Sequence, residues 1–360
     1  MIDEQNNISI TDSILESLTS TLLYEGYSLF PYHRNAIKNQ KPIPFGVVYP
    51  SAYNQFNVHA HCEMITDCVL NSTKDSTLNI NVRFLHLIKT EVFENKKEGN
   101  IADNFVPVYD LYQGNSLYQS GWQTIERTIP IHNFLPATNE AKEKSISFSF
   151  EEEIKEENIY DDQKVILGKK IASILPVNGN ILVKLIPVEN IADAFRVLVI
   201  INNTTPIENA GDISRDEIFR QSFLSTNTIL KVENGEFISS QDPPAVWADA
   251  VAACRNKDTW PILIDKGNTT FLSSPIIVYD YPEINPKSKG DLFDSLEIEE
   301  ALMLHFSVMS DEEKEKIATS DEKLRAMLDK VSQVTPDEII SLHGGFSNVS
   351  HPLIHDNKQK

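Results

Sequence analysis

Residues 77–89 run Thr77-Leu78-Asn79-Ile80-Asn81-Val82-Arg83-Phe84-Leu85-His86-Leu87-Ile88-Lys89. From Leu78 to Phe84 apolar and polar residues alternate without a break. Side chains that repeat every second residue place Leu78, Ile80, Val82 and Phe84 on one face and the polar set on the other. That is the pattern of a half-buried strand.

Working outward, similar runs lie at Val58–Leu70, Leu117–Pro130, Ile146–Glu152, Ile171–Leu175, Ile181–Pro187, Phe195–Ile201 and Thr226–Val232. Pro261–Ile264 and Phe271–Tyr279 are apolar enough for central strands. Asn178-Gly179-Asn180 and Asn234-Gly235 stand between apolar runs and predict hairpin turns, the second leading into Glu236–Ser239. Ser214 followed by Glu217 predicts a capped helix to Gln221, and Trp247–Cys254 predicts a second short helix. Helical crossovers are scarce, so a parallel α/β arrangement is disfavoured. The expected fold is mainly β (α+β), with an antiparallel β-sandwich-like core over residues 51–282.

The flanks differ from the core. Asp12–Leu23 has the spacing of a short amphipathic helix with Thr11 or Asp12 as its cap. Leu22–Pro50 then combines aromatic rings with Pro31, Pro42, Pro44 and Pro50, and matches neither helix nor strand. Residues 1–50 are therefore expected to form a helix and an irregular extended arm. Tyr24, Glu25, Tyr27, Pro31, Tyr32, Lys38 and Asn39 are its expected fixed points, holding the fold or meeting a partner. After Tyr281 a turn-rich linker leads to helical patterns in residues 283–345, with a capping box at Ser310 and Glu313 and Pro336 in a first turn. Residues 346–360 are expected to be loose.

The 360-residue chain has 52 acidic and 32 basic side chains, for a formal net charge of −20. Such a charge repels phosphate backbones, so no nucleic-acid partner is expected; a neutral or basic protein partner fits better. The acidic N-terminus does not resemble a secretory signal, and no apolar run reaches the ~18 residues of a membrane span. Three cysteines, an odd and sparse count, suggest reduced thiols and a cytoplasmic location.

His59, His61, Cys62 and Glu63, with Cys68, have the donor types of a metal site. In a strand Cys62 points away from the other three, and no second ligand pair follows, so half-buried polar residues explain the cluster better. The acidic group from Asp280 to Glu300 lacks the alternating ligand spacing of a calcium loop. There is no G-x-S-x-G elbow, phosphate loop or G-x-G-x-x-G turn. No catalytic residue set and no cofactor are expected.

Three stretches carry a resemblance: LLYEGYSLFPYHRNAIKNQ with FGVVYP (22–40, 45–50), the Cys68–Leu87 pattern, and Leu272–Leu304. They resemble an uncharacterised family of bacterial proteins encoded near nickel-iron hydrogenase genes, and the stretch 320–344 is similar to that family's C-terminal end. Where that family has a tryptophan-containing lead-in to Cys68, this chain has His59-Ala60-His61-Cys62, which speaks against a metal role for the histidines as a family property. The resemblance implies an accessory or assembly protein whose partner is a hydrogenase subunit or maturation factor, and it brings no activity with it. The alternatives are a metal-binding protein or metal-dependent enzyme using residues 59–68, and a structural or carbohydrate-binding sandwich module.

Overall fold

The computed structural model describes Leu15, Leu18, Thr19 and residues 45–96, 104–114, 116–134 and 141–282. The chain divides into two units, Met1–Pro282 and Glu283–Lys360, and the described residues belong to the first. The seven arm residues from Tyr24 to Asn39, the helices expected over 283–345 and the tail lie outside the described residues. Leu15 and Leu18 are helical and buried, three positions apart on one face, as the amphipathic spacing requires.

Among the described residues the strands in chain order are β1 (Glu63–Asn71), β2 (Thr77–Asn95), β3 (Phe105–Val108), β4 (Asp110–Gln113), β5 (Ser116–Gln119), β6 (Gly121–Ile131), β7 (Lys142–Phe150), β8 (Glu153–Tyr160), β9 (Ile166–Ile174), β10 (Val177–Pro187), β11 (Ala194–Asn203), β12 (Leu224–Glu233), β13 (Glu236–Phe237), β14 (Trp260–Leu263) and β15 (Thr270–Ser274). Short helices are α1 (Ser51–Asn54), α2 (Arg215–Phe219) and α3 (Ala248–Ala252). No helix among the described residues is long and apolar enough to cross a membrane.

One sheet has the order β13-β1-β11-β10-β7; the other runs β14-β15-β12-β2-β9-β8, with β3 and β6 also on β2. The pairings are antiparallel throughout. β10 and β11 alternate buried and part-exposed residues along their length, the signature of a sheet with one face on a core. That core takes Leu78, Ile80, Val82 and Phe84 from β2, and Ile181, Val183, Val197, Val199 and Ile201 from the facing sheet. Fully burying each such side chain contributes roughly 1.5–3 kcal/mol.

β2 is the longest strand, at 19 residues. One flank pairs with β6 and then β3. The other pairs with β12 up to Leu85 and with β9 from Ile88 onward. His86 lies in the fork between them, fully buried, its Nε2 2.9 Å from the Leu175 carbonyl. β12 bulges beside the fork between Leu224 and Asn227, with Ser225 at φ 49°.

The sequence reading needs four corrections. The first strand begins at Glu63 and not Val58; residues 51–54 are helical and 55–62 form turns and bends. Asn178-Gly179-Asn180 is no hairpin turn but the interior of β10, because β9 and β10 belong to different sheets. Gly179 is needed there for contact: a Cβ would come within 2.2 Å of the Phe148 ring and 2.8 Å of Phe223. Asn234-Gly235 is a turn, with Asn234 at φ 56°, yet it sends β13 to pair with β1 in the opposite sheet. Finally, the run 117–130 breaks at Ser120, whose hydroxyl donates to the Val108 carbonyl and accepts from the Val92 N–H. The helix over 214–221 does form, with Ser214 Oγ accepting from the Glu217 N–H at 3.2 Å.

Two outcomes follow from the packed centre. Gly179→Ala is expected to lose about 1–3 kcal/mol in urea unfolding, whereas Gly121→Ala, with nothing within 4 Å of the added carbon, stays within about 0.5 kcal/mol. Burial, with the Arg127 guanidinium nearby, lowers the His86 pKa from 6.5 to about 4. Above 6.5 both states hold neutral imidazole; as pH falls toward 4, only the unfolded chain takes up the proton. Stability should therefore fall by up to about 3 kcal/mol across that window, and His86→Leu should remove this part of the slope.

Candidate functional site

An open groove of about 800 Å³ lies at the end of the sandwich where residues 45–49, the lead into β1, the loop before β14 and the segment after β15 meet. Its walls include Phe45, Tyr49, His59, His61, Asp258, Trp260 and Ile277. Each wall is positioned by backbone bonding. The Val48 N–H donates to Phe223 and the Phe223 N–H back to Val48, at 2.9 and 3.1 Å. The Tyr49 N–H donates to the His61 carbonyl at 2.9 Å, and the Asn203 side-chain amide donates to the Val48 carbonyl. Gly46, at φ 52°, lies so close to Pro275 that a Cβ would come within 2.6 Å of its ring. The described end of the arm is thus stitched to the sandwich, beside the β12 bulge.

The opposite wall hangs on a buried carboxylate. Asp67, on β1, is fully buried and takes a guanidinium N–H from Arg196 at 2.5 Å and the Arg255 N–H at 2.8 Å. Asn256 exchanges two bonds with the Asp67 backbone, its side-chain amide donating to the carbonyl and its side-chain oxygen accepting from the N–H. The loop is further tied by the Ile65–Lys257 bridge. These contacts bring Asp258, at φ 59°, to His61, with Nδ1 and Oδ2 2.5 Å apart and both side chains half-exposed. The residue next in line, Thr259, is buried and bonds Ser273 rather than the histidine.

The five sequence candidates for metal binding are dispersed. His59 and His61 line the groove, while the Glu63 carboxylate turns to Lys257 Nζ at 3.3 Å. Cys62 is half-buried. Cys68 is fully buried in the main core, where burial pushes its thiol well above the ordinary value. Cys254 is pushed up to about 12 by burial and the Asp67 carboxylate. Thiols held protonated are poor nucleophiles and poor ligands. Among the described residues no three His, Cys, Asp or Glu side chains gather as a metal site.

What the groove does assemble is a binding surface. Trp260 is 51% exposed, Phe45 46% and Ile277 61%, with Tyr279 also exposed on the same segment as Ile277. Large apolar side chains left in water beside a few fixed polar groups are typical of recognition sites. Asp258, Trp260, Phe45 and Ile277 were not singled out in the sequence, because their exposure depends on loop placement; the one local sign was the Trp260-Pro261 pair opening a strand. The sequence matches no protein-family model, and it matches no curated protein.

Asp67→Ala should leave the Arg196 guanidinium without its partner and release the 255–258 loop. A loss of about 3–5 kcal/mol in chemical unfolding is expected, against under about 1 kcal/mol for Glu63→Ala, whose ion pair is solvent-exposed.

Proposed function

We propose that this protein is a non-enzymatic accessory or assembly factor that binds a protein partner through the groove. The observation that carries this reading is the exposed Phe45, Trp260 and Ile277 beside the His61–Asp258 pair. A partner's apolar side chains cover the rings, and its backbone or hydroxyl groups bond the histidine and carboxylate at the rim. The acidic balance of the chain favours a neutral or basic segment. The family resemblance suggests a hydrogenase subunit or maturation factor as that partner, in the cytoplasm.

Catalysis receives less support. A histidine oriented by a carboxylate is half of a nucleophilic site, yet Thr259 is engaged elsewhere and both buried thiols are held protonated. The sugar-binding alternative calls for a platform of exposed coplanar rings. Among the described residues the ring pairs are Tyr49–Tyr53, Tyr49–Phe219 and others in the core, and Trp260 is in none of them.

The test is affinity capture from the native host with wild-type protein and with Trp260→Ala. Wild type should retain a hydrogenase subunit or maturation factor, and Trp260→Ala should weaken the purified complex at least about tenfold, the loss of one central aromatic anchor. Equal capture by both proteins sinks the groove assignment. Stoichiometric zinc, iron or nickel in native protein, lost in His61→Ala, would turn the reading toward a metal carrier.

A further inference from the structure

The sheet edges are not protected alike. On β14, Pro261 has no N–H to offer, the Leu263 N–H is taken by the Asp280 carboxylate at 2.8 Å, and the Leu263 carbonyl accepts from the Tyr281 N–H. β13 has only two residues. β8 carries Glu153, Lys155, Glu156 and Glu157, all exposed, and β6 carries Glu126, Arg127 and Pro130. Charges, proline, shortness and capping are the usual means of stopping one edge from pairing with another.

β7 lacks these along its centre. Ser145 to Phe150 has neither charge nor proline, and among the described residues β10 is its sole strand partner. Ile146, Phe148 and Phe150 pack on the main core but stay only partly buried, an apolar stripe along the rim of the sandwich. On the other face the Asn180 amide donates to Ser145 Oγ at 2.7 Å and to Ser147 Oγ at 3.3 Å. The ends carry opposite charge: exposed Lys144 before the neutral stretch, exposed Glu151 and Glu152 after it.

We propose that a second copy of this chain pairs its own β7 antiparallel with this edge, joining the two five-stranded sheets about a twofold axis at Phe148. Antiparallel pairing reverses the strand, so the basic end of each copy meets the acidic end of the other. With Phe148 opposite its equivalent, Lys144 faces Glu152 of the partner subunit and Ile146 faces Phe150 of the partner subunit. Both pairs lie on one face, because equal parity is kept across the axis. The charge pattern is thus self-complementary, as a twofold interface demands. A strand of fixed sign would favour a different partner; this one favours itself.

Sedimentation velocity of the full chain across the micromolar range tests this. Wild type should form a dimer. Lys144→Glu and Glu152→Lys should each weaken it about tenfold, since each sets two like-charge pairs face to face. The Lys144→Glu/Glu152→Lys double variant should recover the wild-type affinity, and an equimolar mixture of the two single variants should form mixed dimers. Far-UV circular dichroism checks that every variant is folded. A monomer throughout, a dimer that neither single variant weakens, or a double variant that fails to recover would each overturn the proposal. The groove is not involved, so Trp260→Ala should leave self-association unchanged.

Discussion

The structure depends on one strand that is too long for any single neighbour. At ~3.3 Å per residue, the 19 residues of β2 span roughly 60 Å, about twice the usual strand length or more. Its backbone groups must still be bonded along the buried length, so four strands share the work, two on each flank. The partners β12 and β9 cannot both follow β2 through residues 85–88, and the sheet forks there. His86 fills the fork as a neutral ring, with its Nδ1 buried and unbonded among the described residues.

The groove is downstream of that fork. β12 leaves the regular ladder by a bulge at Leu224–Asn227, which frees its backbone for another chain segment. Residues 45–48 take the place: the Ser225 N–H donates to the Phe45 carbonyl and the Thr226 N–H to the Gly46 carbonyl. Gly46 then passes against Pro275, and Phe45 is left on the groove rim. A bend imposed by strand length thereby decides where an aromatic side chain meets solvent.

The other groove wall relies on charge rather than on pairing. A fully buried carboxylate is costly unless its oxygens are bonded, and Asp67 is served by Arg196 and the Arg255 N–H. Because one of those donors is the backbone of the 254–258 loop, satisfying Asp67 also sets the loop. His61 and Asp258, 197 positions apart, meet as a consequence.

Much of the sandwich was legible in the amino-acid order alone. The period-two pattern from Leu78 to Phe84 needs no tertiary context to name its two faces, and the Ser214–Glu217 cap is a contact within one turn. The antiparallel, mainly β class follows from many such short signals. Tertiary structure decided what local order cannot: which sheet each strand joins. Asn178-Gly179-Asn180 has the residues of a hairpin turn, but Gly179 serves to let Phe148 and Phe223 approach the backbone. Asn234-Gly235 does turn the chain, yet toward the opposite sheet. The metal-like set 59–68 was grouped by nearness in sequence and was separated in space, as Glu63 found Lys257, Cys68 entered the core and His61 found Asp258. The physical reason is range. Turn chemistry and periodicity act over a few residues, whereas sheet membership and groove walls are set by partners tens to hundreds of residues away.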